Sequence, residues 1–79
     1  MCSTNKTLPK LTADIFDDPD CPEWARYAAV DEGGWVYVYS DKPNIAARNW
    51  DAQLYSKATL IGINYDSSDW ANSLVEREK

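Results

Sequence analysis

A chain of 79 residues supports one domain, and a core of that size supplies little net stability, so every large apolar side chain counts. The formal net charge is −5, from 13 acidic and 8 basic residues with no histidine. The basic residues are scattered rather than clustered, which argues against direct nucleic-acid binding, and without histidine no mixed Cys–His zinc site can form.

Residues 1–10 are polar, with Pro9 near their end, and read as a flexible N-terminal arm ahead of a single globular domain over residues 11–79. The start, Met1-Cys2-Ser3-Thr4-Asn5-Lys6, lacks the apolar centre of a signal peptide, and no apolar run reaches the length of a membrane span. Cys2 and Cys21 have no metal-ligand spacing around them, so both are expected to be reduced thiols in a cytosolic protein. Leu11, Ile15 and Phe16 then precede Asp17-Asp18-Pro19-Asp20, which reads as a loop tucking apolar side chains under a sheet. At Asp20-Cys21-Pro22-Glu23 the spacing predicts one short helical turn, with Asp20 as its cap and Pro22 in its first turn, delivering Trp24 to the edge of the core.

The cleanest pattern runs from Trp24 to Ser40, where two β-prone runs flank Gly33-Gly34. With Glu32-Gly33-Gly34 as the loop, Asp31 faces Trp35 and Val30 faces Val36. That register sorts Ala28, Val30, Val36 and Val38 onto one face and Tyr27, Ala29, Trp35, Tyr37 and Tyr39 onto the other, because opposed residues of an antiparallel pair point the same way. A slip by one residue would mix the two classes. Downstream, Asp41-Lys42-Pro43-Asn44 is a turn signal, a short third strand is expected near Arg48 to Ala52, and Lys57 to Asn64 is a clear β-run in which Gly62 marks a bulge or a close approach. The C-terminal segment from Asp66 opens with good caps and holds Trp70 and Leu74 four residues apart, which suits a short helix, or one turn and an extended tail. The fold class expected is α+β, mainly β: a small antiparallel β-meander of three or four strands with a short helical turn before the first strand and a short C-terminal helix or tail.

Little here resembles a catalytic site. Asp17, Asp18 and Asp20 crowd together, but a Pro-interrupted acidic loop is ordinarily solvated and carries no shifted carboxyl. Cys21 and Ser67-Ser68 have no histidine to activate them, and Gly33-Gly34 leads into a strand rather than the helix that a phosphate loop requires. No enzyme, cofactor or metal is expected. The aromatic strip of Tyr27, Trp35, Tyr37 and Tyr39 is the stronger candidate, as a partner surface steered by Asp17, Asp18 and Asp20, since Trp and Tyr are enriched at binding hot spots. The alternatives are that the strip is simply core, that it pairs two copies into a homodimer, or that Arg26, Arg48 and Trp50 hold a nucleotide or other small ligand.

From Asp20 onwards the chain resembles a family of small, uncharacterised proteins of tailed phages and prophages. The resemblance rests on Pro22-Glu23-Trp24-Ala25 leading into Tyr27-Ala28-Ala29-Val30-Asp31, a Gly-containing turn, aromatic positions up to Tyr39, Lys42-Pro43, a lone Trp50, and Asp69-Trp70-Ala71-Asn72-Ser73-Leu74 followed by Glu76-Arg77. It brings no catalytic residues. What it implies is context: a phage accessory protein acting in the host bacterial cytosol by binding a host protein, as a host-takeover factor or counter-defence inhibitor.

Overall fold

The turn at Gly33-Gly34 sets the architecture. Asp31 N–H donates to the Trp35 carbonyl and Gly34 N–H to the Asp31 carbonyl, each at 2.9 Å, closing the three-residue loop Glu32-Gly33-Gly34. Gly34 has φ +85°, and a Cβ there would lie 2.8 Å from the Tyr65 carbonyl oxygen, so both its backbone conformation and its neighbour demand glycine. Strand β1 (Tyr27–Val30) and strand β2 (Val36–Tyr39) leave this turn in antiparallel register, with Tyr27 opposite Tyr39, Ala28 opposite Val38, Ala29 opposite Tyr37 and Val30 opposite Val36. The register expected from side-chain sorting is the one observed.

The computed structural model describes residues 8–78. Besides the hairpin they form β3 (Asn44–Ile45), β4 (Trp50–Asp51), β5 (Ala58–Gly62) and β6 (Val75–Glu76), with 3₁₀ turns at Ala13–Asp17 and Trp70–Asn72. The main sheet is antiparallel, in the order β5-β2-β1-β6, while β3 and β4 pair with each other alone. The mainly β architecture with short helical turns is therefore present, with an excursion between β2 and β5. The strand expected at Arg48 to Ala52 exists only as Trp50–Asp51 and stays outside the main sheet. Its flanks explain this: Asp31 Oδ1 and the Glu32 N–H bind the Trp50 N–H and the Arg48 carbonyl, at 3.1 and 3.2 Å, and hold the segment across the hairpin.

The helical turn before the first strand falls earlier than its sequence signals suggest. Ala13–Asp17 is 3₁₀, whereas Pro22 to Ala25 makes a single β-turn closed by the Ala25 N–H on the Pro22 carbonyl at 3.2 Å. The 3₁₀ geometry buries the adjacent Ile15 and Phe16 together, which is what the apolar group was expected to do. The C-terminal segment takes the form of one 3₁₀ turn and an extended tail. Ser73 joins that turn to the sheet: its Oγ accepts the Val30 N–H at 2.8 Å and donates to the Trp70 carbonyl at 2.7 Å, extending the edge of β1 past the point where β6 pairs. Of the expected N-terminal arm, residues 1–7, and Cys2 with them, lie outside the described residues; Pro9 is tied down by the Asp66 N–H at 2.8 Å.

The core lies on the aliphatic face of the hairpin. Ala28, Val30, Val36 and Val38 are fully buried against Ile15, Phe16 and Ala25, with Leu11, Cys21, Trp24, Ile61, Tyr65, Trp70 and Val75 around them. The large rings therefore wall the core rather than fill it: none of the four tryptophans is fully buried. Arg77 closes one end, stacking its guanidinium 5.5 Å from the Phe16 ring centroid and donating to the Ala25 carbonyl at 3.0 Å.

Candidate functional site

The aromatic face opposite this core is covered unevenly. At the end far from the turn, Tyr39 is 2 % exposed, its hydroxyl donates to the Trp50 carbonyl at 3.3 Å, and burial pushes its phenol well above the ordinary value. Ala29, on the same face, is also buried. The cover is the β3–β4 segment, which Trp50 clamps in place: its backbone N–H binds Asp31 Oδ1, and its indole Nε1–H donates to the Trp70 carbonyl at 3.1 Å. Asp31 is partly buried in making that anchor, which raises its pKa, while the bond from Trp50 acts the other way.

Beyond this cover the strip opens. Trp35 is 51 % exposed, and Tyr37 is half-buried with its ring tilted 35° to that of Tyr39 at 6.5 Å. Strand β5 extends the same face, because Leu60 lies opposite Tyr37 and Ala58 opposite Tyr39. Leu60 is 43 % exposed and Ile63, just past the strand, 55 %. The register shifts between Val36 and Tyr37, leaving Ile61 without a partner on β2 next to Gly62, where a bulge or a close approach was expected, and a Cβ at Gly62 would meet the Tyr65 ring at 2.8 Å. The exposed surface is thus Trp35, Tyr37, Leu60 and Ile63 rather than the full strip. Tyr39 belongs to the interior, and Tyr27, half-buried, sits at the opposite end of the hairpin from Trp35. Leu60 and Ile63 were not singled out from the sequence; the signal was the alternation in Lys57 to Asn64, which became decisive only once β5 was known to pair with β2.

The acidic loop lies to one side of this surface. Asp17 and Asp20 are exposed, and Asp18, half-buried, accepts the Asp20 N–H on Oδ1 at 2.8 Å. Asp20 borders an open hollow of about 350 Å³ with Thr59, Leu60, Ile61, Gly62 and Ile63, so the loop and β5 adjoin. The ligand constellation is not assembled. Arg26 stands at the start of β1, where its N–H pairs with the Tyr39 carbonyl, while Arg48 lies at the turn end, within 3.9 Å of Glu32 and largely exposed. Trp50 is engaged with Trp70 and Asp31. Arg26 shares its hollow with Arg77, Glu23 and Glu78, which offers an anion no net positive site.

Burial raises the Cys21 thiol above its ordinary value, with Arg77 acting against it and Asp18 adding to it, so it stays protonated at neutral pH. Asp66 is pulled below the usual carboxylate range by the Ser68 N–H on its Oδ1 at 2.9 Å, which is turn chemistry on an exposed loop. Among the described residues no group of three or more metal-ligating side chains comes together, and no helix is long and apolar enough to cross a membrane. No family model, no curated protein and no solved structure matches the chain.

Proposed function

We propose that the chain is a non-enzymatic, phage-encoded accessory protein that binds a host protein in the bacterial cytosol, as a host-takeover factor or an inhibitor of host defence. The observation that supports this reading best is the uncovered end of the aromatic face: Trp35, Leu60 and Ile63 stand 51 %, 43 % and 55 % exposed beside Tyr37 on paired strands. In so small a chain the burial of such side chains is a large share of the available stabilisation, and leaving them in water marks a surface that another molecule covers. A Trp and a Tyr on a rigid sheet are suitable anchors, and the net charge of −5, with Asp17, Asp18 and Asp20 alongside, favours encounter with a basic partner. The phage context comes from the sequence resemblance.

The test is affinity capture from host lysate with the wild type, Trp35→Ala and Tyr37→Ala, each variant checked for folding by near-ultraviolet circular dichroism. One host protein retained by the wild type and lost from Trp35→Ala supports the reading; unchanged capture by folded variants removes the assignment of this face.

A further inference from the structure

The outer edge of the main sheet at β5 is open. The Ser40 N–H donates to the Lys57 carbonyl at 2.9 Å, and this bond sets the phase of the ladder between β2 and β5. Thr59, two residues on, turns its peptide groups toward β2, and Ala58 and Leu60 turn theirs outward. Among the described residues no backbone or side-chain group pairs with Ala58 or Leu60 on that side. Edge strands are ordinarily protected by charge, proline or shortness, yet Ala58-Thr59-Leu60-Ile61-Gly62 carries no charge and no proline. Its bulge comes after Leu60 and leaves Ala58 to Leu60 regular.

We infer that the β5 edge pairs with β5 of a second copy of this chain, antiparallel and centred on Thr59, joining the two main sheets into one. The centre follows from the phase: only a two-fold axis at Thr59 matches the outward groups of Ala58 with those of the partner's Leu60, and the reverse, within the regular part of the strand. On the outer face the register sets Leu60, 43 % exposed, over the small side chain of the partner's Ala58. On the other face it opposes Thr59 to the partner's Thr59, a favourable cross-strand pair. Just beyond the regular pairs, Lys57, whose Nζ lies 5.8 Å from its own Trp24 ring centroid, comes toward the hollow that the partner's Asp20 borders, which puts opposite charges at each end of the contact. The contact spans few residues and stays below the roughly 1,200 Å² of a standard interface, and the net charge of −5 on each copy opposes it, so the dimer is weak and concentration-dependent. This pairing uses the edge of the sheet and leaves the outer face at Trp35 open, so it is independent of the host-protein reading.

Sedimentation equilibrium from micromolar to millimolar protein tests the pairing. The wild type is expected to rise from 9.0 kDa toward twice that mass. Ala58→Pro removes an outward N–H at the first position of an edge strand, where proline is tolerated, and is expected to weaken association by about tenfold or more. Trp35→Ala should leave the mass unchanged. Register is read separately in a Cys2→Ser, Cys21→Ser background: Thr59→Cys forms an intermolecular disulfide under mild oxidation, because directly opposed side chains lie about 4.5 Å apart, whereas Leu54→Cys, 85 % exposed but off the edge, does not. Monomer mass at every concentration, undiminished association of folded Ala58→Pro, or equal crosslinking at both positions overturns the inference.

Discussion

The two faces of the β1–β2 hairpin alternate along the same stretch from Tyr27 to Tyr39, yet they end in opposite conditions. On one, Ala28, Val30, Val36 and Val38 are all fully buried under Ile15, Phe16 and a wall of half-buried rings. On the other, larger aromatic rings grade from Tyr39 at 2 % exposure to Trp35, beside the turn, at 51 %. Side-chain size alone would have reversed the order. What decides is cover: the chain has one well-packed layer to give, and its N- and C-terminal segments place it on the aliphatic face. Among the described residues the other face receives the β3–β4 segment, held by Asp31 and by the Trp50 contact to Trp70.

The strongest way to break this contrast is to remove a side chain that covers the aliphatic face. Phe16→Ala should cost about 3–5 kcal/mol, enough to unfold a domain of this size, and urea denaturation followed by tryptophan fluorescence measures it. The turn that joins the two faces comes next. Gly34→Ala forces a left-handed residue against the Tyr65 carbonyl and should cost about 1–3 kcal/mol, whereas Gly33→Ala meets nothing within 4 Å and should lie within about 0.5 kcal/mol of wild type in the same assay.

Tyr39→Phe probes the covered end of the aromatic face. At neutral pH the loss of one long hydrogen bond should cost about 0.5–1.5 kcal/mol. Its pH dependence is more diagnostic. Both states keep the phenol protonated below the ordinary value of 10.0; above it the unfolded chain ionises first, because burial raises the folded-state value, and stability falls as pH rises toward that value. Tyr39→Phe should remove that part of the alkaline decline, as read by denaturation midpoints across the range. At the open end, Trp35→Ala should cost no more than about 2 kcal/mol, well below Phe16→Ala, because half of the residue is already in water. A much larger loss would mean that Trp35 serves the fold instead of a partner.

The hairpin was legible in full because its information is local: alternation, side-chain sorting and a glycine able to take positive φ all agree on one register. The irregularity beside Gly62 had a local sign in the glycine itself. The fate of the aromatic face was not, since it depends on contacts such as Trp50 to Trp70 and Ser73 to Val30, which join residues 20 and 43 positions apart and leave no periodic trace. Arg26, Arg48 and Trp50 have suitable chemistry for a ligand, but the fold sets the two arginines at opposite ends of β1. Leu60 became part of the exposed surface only through the pairing of β5 with β2, which the sequence did not specify. The short strand at Trp50–Asp51 was drawn from the sheet by the side chain of Asp31, a residue that pattern reading places simply at the end of a strand.

Host-protein binding at the uncovered end of the aromatic face is proposed from exposure and pairing, and crosslinking in cells tests it directly. The most direct measurement places a photo-crosslinking benzoylphenylalanine at Trp35 in one variant and at Tyr55 in another, irradiates both in infected cells, and identifies adducts by mass spectrometry. Tyr55 is the control because it is 89 % exposed yet lies outside the main sheet. The account predicts one dominant host protein crosslinked from position 35, absent from position 55 and displaced by unlabelled wild type. The same adducts from both positions, or none from position 35, would contradict it.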